Sequence, residues 1–269
     1  RRRAGAGVAG GWWARAAGSS RRAVDHAGQD KRAEAAGDVR LSVAEVERVV
    51  AAVGSPGVEV EGFEGDDVIG TLAHKGVEAG YEVYMVTPDK DYGQLVRDHC
   101  VIYKQKGTDG IEIVDREAIR LKYGIDDPVL VRDILALWGD ASDNIPGVPG
   151  IGEKGACKLV QQWGTVEQIL AAAPQIKGRQ GEKIAAWGDR LLLAKQLTTI
   201  RLDVPITFSE EELTVCAPHP DALRALFAEL DFRPFLNALA NPAPAAPPPA
   251  GPPHEHPPPP ADGAPGAPA

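Results

Sequence analysis

Hydrophobic positions along this chain recur with two periods. Val43, Val46, Val49, Val50 and Val53 fall at helical spacing behind Ser42–Glu45, which has the form of a capping box. They predict a helix starting at Ser42 and ended by Gly54 and Pro56. VEV (58–60) and YEVYMV (81–86) read as strands, with an apolar helix through Val68, Ile69, Leu72 and Ala73 between them. VIYK (101–104) and IEIV (111–114) flank Gly107 and Gly110 and predict a hairpin. Strands alternating with helices imply an α/β fold with a mainly parallel sheet, whose ligands are expected at the carboxyl ends of the strands.

From Asp115 onward the period is helical. Asp115 caps a helix to Tyr123, 129–138 forms another, and 155–163 a third with Ala156, Leu159, Val160 and Trp163 on one face. Shorter helices are expected at 166–172, 190–197 and 222–235. Residues 1–37, rich in Ala, Gly and Arg, show no sustained period and are expected to be poorly ordered. Within them, Trp12 and Trp13 read either as the remains of a strand or as an unplaced aromatic pair. Residues 241–269 hold more than half of the chain's 23 prolines and predict an extended tail, in which His254 and His256 are incidental. The expected division is therefore an N-terminal remnant (1–37), an incomplete α/β core (38–125), a helical subdomain (126–240) and the tail (241–269).

Candidate chemistry sits where the two patterns meet. GDASDNIPGVPGIGEKGA (139–156) joins Asp140 and Asp143, spaced to share one face of a helical turn, to a glycine-rich hairpin between two helices. Those glycines leave backbone N–H groups at the second helix's N-terminus facing an anion. Two further acidic groups follow predicted strands: Glu64, Asp66 and Asp67 in EGFEGDD, and Asp89 and Asp91 in TPDKD. All seven carboxylates are hard oxygen donors with no His or Cys among them, which favours Mg²⁺ or Mn²⁺ over zinc. Two divalent ions need such a surplus of anions around them. Taken singly, Asp66, Asp67 and Asp91 are equally well read as acids complementing a helix dipole. Jointly, three acidic clusters beside a phosphate-gripping hairpin point to metal-assisted chemistry on a nucleic-acid backbone.

The formal net charge of −9 bears on where charge is distributed rather than against such a partner, since metal-binding carboxylates account for much of it. Cys100, Cys157 and Cys216 lack metal-type spacing and are expected to be buried thiols in a reducing cytoplasm. No stretch has the apolar length to span a bilayer, and the basic N-terminal segment has no apolar run of the secretory kind.

At these residues the chain resembles the 5′–3′ exonuclease domain of bacterial DNA polymerase I and its stand-alone relatives in the flap endonuclease superfamily. EGFEGDDVIGTLA, TPDKDYGQLV and GDASDNIPGVPGIGEKGACKLVQQWGTVEQIL resemble that family's second, third and fourth motifs, the last with its helix-hairpin-helix. The similarity runs from about Ser42 to Leu239. It implies a PIN-like core and a hydrolase acting on 5′ ends and flaps of duplex DNA in replication and repair, as a monomer, by a two-metal mechanism. By position, Glu64, Asp66 and Asp67 are expected to hold the first ion, and Asp89, Asp91, Asp140 and Asp143 the second. Gly147, Gly150, Ile151, Gly152 and Lys154 are expected to grip the duplex, with K⁺ bound by hairpin carbonyls, and Arg32 to reach the scissile phosphate.

The chain departs from the family pattern upstream of Ser42. Members open on a strand carrying an aspartate, and nothing in 1–37 matches it. Ala14 falls where a second aspartate is usual, Gln29 where a lysine is usual, and Lys31 is only a neighbour of that position. The resemblance therefore implies a degraded or truncated N-terminus and a first-metal site short of about two ligands. After Leu239 no polymerase sequence follows in this chain. The alternative function is a catalytically weak DNA-binding remnant that uses the hairpin.

Overall fold

The computed structural model describes residues 13–15, 37–107 and 110–240. The expectations for Arg32, for the rest of the N-terminal segment and for the proline-rich tail lie outside the described residues.

Strand β1 (Trp13–Arg15) pairs in parallel with β2 (Gly57–Glu59), setting Ala14 beside Val58. The strand reading of Trp13 is thus the one found. Helix α1 (Gly37–Ala52) begins upstream of Ser42, which lies inside it rather than capping it. Its C-terminal end is set by Gly54 at φ 76°, where an added Cβ would meet the Cys216 carbonyl oxygen. Helix α2 (Gly65–Glu78) leads to β3 (Val83–Val86), which pairs in parallel with β4 (Cys100–Gln105). Strand β5 (Ile111–Val114) returns antiparallel to β4, as the Gly107/Gly110 turn signalled. Parallel and antiparallel pairs are therefore mixed, where a mainly parallel sheet was expected. Among the described residues the β1–β2 pair and the β3–β4–β5 sheet share no ladder.

Helix α3 (Arg116–Tyr123) starts at Asp115, whose Oδ1 accepts the Ala118 N–H at 2.8 Å, and ends at Gly124 with φ 68°. A short 3₁₀ turn (Pro128–Leu130) runs into α4 (Val131–Trp138). Helices α5 (Glu153–Trp163), α6 (Val166–Ala172) and α7 (Arg179–Thr198) then pack around α4, whose Val131, Ile134, Leu135, Ala136 and Leu137 are all fully buried. A helix buried so completely is the centre of its layer, and truncating Leu135 to Ala is worth about 2–5 kcal/mol. The α7 helix is longer than its sequence pattern suggests but broken at Gly188 (φ 35°, ψ −113°).

Buried polar groups fix how these elements meet. Asp133 on α4 is wholly buried; its Oδ1 accepts the Val166 N–H at the head of α6 at 2.8 Å and the Lys195 ammonium of α7 at 2.8 Å. The α2 helix divides the interior: Ala73 faces the main core, while Val68 and Leu72 face a smaller one with Val204 and Leu213. The segment after α7 is pinned to α2 through Asp67 and Thr71, and to the 3₁₀ turn Asp91–Leu95 through Gln94, whose Oε1 accepts the Ile200 N–H at 3.0 Å.

Among the described residues, 220–240 belong to a compact unit separate from the preceding chain. The single helix expected at 222–235 is two, α8 (Pro220–Glu229) and α9 (Arg233–Ala240), because Asp231 takes φ 53° between them. Phe227, Phe232 and Phe235 close this unit, with Phe227 and Phe235 ring centroids 5.3 Å apart. Of the three cysteines, Cys100 and Cys157 are buried, but Cys216 is exposed, contrary to expectation.

Candidate metal centre and nucleic-acid interface

Where β3 ends, Thr87 and Asp89 turn the chain into the 3₁₀ turn that carries Asp91. The Asp89 N–H donates to Thr87 Oγ1 at 3.1 Å, and Asp89 Oδ1 accepts the Asp91 N–H at 3.0 Å. Asp89 thus closes an Asx turn ahead of the 3₁₀ turn, and the buried Asp91 side chain faces the next segment.

That segment is the loop after α4. Gly139 (φ 88°) ends the helix, and 139–140 and 145–146 then form a two-residue antiparallel pair, β6 and β7. Asp140 and Asp143 consequently sit on a tight turn and not on the helical turn their spacing suggested. Asp140 Oδ1 accepts both the Ser142 N–H, at 3.0 Å, and the Ser142 hydroxyl, which closes the turn on its own side chain.

The turn brings carboxylate oxygens of Asp91, Asp140 and Asp143 within 4.8 Å of one another, the first two buried and the third half-buried. Lys90 supplies a cation at the edge, its Nζ 2.6 Å from Asp140 Oδ2 and 3.7 Å from Asp91 Oδ1. Burial, then the charges of Asp89 and Asp140, push the Asp91 carboxyl up to about 7 against the pull of Lys90. Burial works the same way on Asp140, but hydrogen bonds from Lys90 and Ser142 outweigh it and hold that carboxyl below its usual range. Burial pulls the Lys90 ammonium down, and the Asp140 bond with the surrounding negative charges more than reverses it.

The donors fit a hard divalent cation. They are all oxygen, and Asp91 Oδ1 is buried and makes no hydrogen bond, with the Lys90 ammonium 3.7 Å away, a state a bound cation would relieve.

The first acidic group is placed differently. Glu64 stands at the head of α2 in extended conformation (φ −81°, ψ 156°) and makes no side-chain cap bond. Asp66 Oδ1 accepts the Tyr92 hydroxyl at 2.9 Å, so it touches the residue next to Asp91 but is not part of the three-carboxylate group. Burial, then the charge of Asp66, push the Tyr92 phenol well above its ordinary value. Asp67 is fully buried, and its Oδ1 accepts the Arg201 N–H at 2.8 Å. Through Oδ1, Asp67 ties α2 to the chain after α7, while its buried Oδ2 accepts no hydrogen bond.

The hairpin also sorts its residues. Ile151 is buried in the main core, and its N–H donates to the Val148 carbonyl at 2.9 Å, so its side chain anchors the hairpin from within. Gly147 is required by packing, since a Cβ there would lie 2.0 Å from the Trp138 carbonyl oxygen. Gly150 holds a positive φ of 83°. Gly152 and Lys154 are exposed at the head of α5, where the Glu153 and Lys154 N–H groups have no partner within the helix, while that of Gly155 donates to the Gly152 carbonyl. Lys183 of α7 donates to the Pro149 carbonyl at 2.9 Å, fastening the hairpin to the helical layer. Sequence reasoning missed Lys90, Gln94 and Lys183; Lys90 and Gln94 carried a signal, since both lie in the third motif, TPDKDYGQLV.

A mixed α/β unit followed by a helical one, with carboxylates gathered at the loop that opens a helix-hairpin-helix, defines the class of PIN-like 5′-nucleases. Family models agree with that class: the 5′–3′ exonuclease N-terminal resolvase-like domain matches residues 12–124 and the 5′–3′ exonuclease C-terminal SAM fold matches residues 127–221. This chain belongs to the 5′–3′ exonuclease family. Among curated relatives, it is 42% identical to DNA polymerase I of Bacillus caldotenax over 190 residues, 70% of this chain and 22% of that protein. It is 38% identical to DNA polymerase I of Bacillus subtilis over 183 residues, 67% of this chain and 21% of that one. The chain thus spans about a fifth of the length of these relatives. A phage T5 5′-exonuclease structure with bound zinc superposes with a TM-score of 0.58 at 18% identity, covering 85% of this chain and 82% of that one. The catalytic core of Rad2 in complex with DNA superposes at 0.52 and 15% identity, covering 81% of this chain and 72% of that one. At those identities the likeness concerns the fold. Among the described residues, no helix is long and apolar enough to cross a membrane.

Proposed function

We propose that this chain hydrolyses phosphodiester bonds at 5′ ends and 5′ flaps of duplex DNA with Mg²⁺ or Mn²⁺, acting as a monomer in the bacterial cytoplasm. The carrying observation is the Asp91, Asp140 and Asp143 group at the foot of the hairpin. These three would hold a divalent ion, with Asp89 beside them, while Glu64 and Asp66 at the head of α2 are the groups offered to a second. A divalent cation bound there supplies Lewis-acid polarisation of the phosphate and acidification of a water.

The chain's own residues do the rest. Gly152 and Lys154 at the head of α5 receive a phosphate of the duplex, the N–H groups by direction and the ammonium by charge. The Asp140 turn stands at the other end of the same hairpin, so duplex held at α5 lies in register with the carboxylates. A K⁺ ion at the hairpin has to compete with Lys183, whose ammonium holds the Pro149 carbonyl.

A second reading, duplex binding with weak catalysis, has one observation behind it. Among the described residues the group of three carboxylates excludes Glu64, Asp66 and Asp67. Incubating the chain with a 5′-labelled flap duplex and Mg²⁺, beside an Asp140→Ala/Asp143→Ala variant and a Ca²⁺ gel shift, separates the two. Cleavage abolished in the variant supports the nuclease. Binding without cleavage supports the second reading, and neither binding nor cleavage sinks both.

A further inference from the structure

Beside the carboxylates lies a cavity of about 920 Å³ that metal binding does not use, bounded by the acidic turn, the start of the hairpin and α7. Trp138 and Trp187 form two of its walls. Each is half-buried and packed against the main core, so each is anchored on one side and keeps ring surface for the cavity. Arg190, Leu193, Ala194 and Leu197 line it from α7 and recur at the spacing of a single helical face. That face begins just after the break at Gly188 and carries one cation at its head, with apolar positions below it.

The chemistry of this lining is specific. Half-anchored indole rings offer flat surfaces on which any base can stack, and a guanidinium beside them offers bonds to a phosphate. Asp140 belongs to the same wall and by itself would repel an anion, but Lys90, which also lines the cavity, already neutralises it at 2.6 Å. The volume is of the size that takes an organic ligand rather than an ion or a few waters.

Resting on the nuclease reading, we propose that this cavity receives an unpaired nucleotide of the DNA strand whose backbone is held at the carboxylates. Its base stacks on Trp138 or Trp187, and its phosphate meets Arg190. The pocket therefore discriminates single-stranded from paired nucleotides next to the cut, independently of the duplex grip at α5.

The test uses the full chain in Ca²⁺ with a flap duplex carrying 2-aminopurine at the first unpaired nucleotide, a blunt duplex without a flap, and thymidine monophosphate. The expected result is quenching of 2-aminopurine on binding. Trp187→Leu and Arg190→Ala should each weaken flap binding roughly tenfold, with blunt-duplex binding within about twofold of the parent. Circular dichroism establishes that each variant is folded. If Trp187→Leu unfolds, the exposed Arg190 carries the comparison alone. Unchanged flap affinity and fluorescence in a folded variant overturn the pocket while leaving duplex binding, and so the nuclease reading, standing. Saturable binding of the monophosphate at the same tryptophans, with no effect on the flap, assigns the cavity to free nucleotides and overturns the strand assignment. A parent chain that binds no DNA sinks the nuclease reading and this one together.

Discussion

Lys90 Nζ lies 2.6 Å from Asp140 Oδ2, so the carboxylate cluster contains a protein cation of its own. A divalent ion entering the group meets a positive charge already in place and must share or displace it. Lys90→Met is therefore expected to raise divalent-ion affinity roughly tenfold, equivalent to about 1.4 kcal/mol. Mn²⁺ titration by electron paramagnetic resonance reads this directly. A fall in affinity would instead mean that the lysine organises the turn for the ion.

The Asp91 carboxyl, pushed up to about 7 chiefly by burial, makes the metal-free fold sensitive to pH. Between the unfolded carboxylate value of about 3.9 and the folded value, the folded chain holds a proton that the unfolded chain has released. Raising pH through that window therefore destabilises the fold, by at most about 1.4 kcal/mol per pH unit from this group. The loss levels off above the folded value. Urea unfolding in chelator at pH 5, 6, 7 and 8 should show this slope, and Asp91→Asn should flatten it.

Asp67→Ala tests a carboxylate the fold uses for itself. Its Oδ1 bond to the Arg201 N–H ties α2 to the chain beyond α7, and the side chain is fully buried. The substitution should cost about 1–3 kcal/mol in denaturant unfolding and leave Mn²⁺ affinity within about twofold. A large loss of metal binding with stability intact would instead mean that Asp67 is an ion ligand.

Gly147→Ala is expected to damage the fold rather than DNA contact alone. The added methyl would lie 2.0 Å from the Trp138 carbonyl oxygen and 2.6 Å from the Gly139 nitrogen, both backbone atoms that cannot move aside cheaply. A stability loss of about 2 kcal/mol or more, measured by thermal unfolding, is the outcome that fits. Unchanged stability with weakened duplex binding would make this glycine part of the grip after all.

Local chemistry was legible in the sequence wherever one segment decides it. Asp115 caps α3, the Gly107/Gly110 turn joins β4 to β5, and the third and fourth motifs carry the Asp91, Asp140 and Asp143 that the fold gathers. What escaped depended on a backbone sign or a distant partner. The i, i+3 spacing of Asp140 and Asp143 suits a helix, but Gly139 at φ 88° had already ended it. The run from Ala222 to Phe235 has helical period throughout, yet Asp231 turns left-handed within it. The tie between Asp67 and Arg201 escaped because the two lie far apart along the chain. The cavity was out of reach for the same reason, since Trp138 meets Trp187 and Arg190 only through the packing of α7 on α4.

Asp140 spends its two oxygens on different tasks: Oδ1 closes the turn through Ser142, and Oδ2 takes Lys90. An ancestor that ceased to cut DNA would still fold this loop through that side chain, and selection for a soluble, intact protein would preserve it. The presence of this aspartate in a descendant is therefore a record of architecture as much as of chemistry.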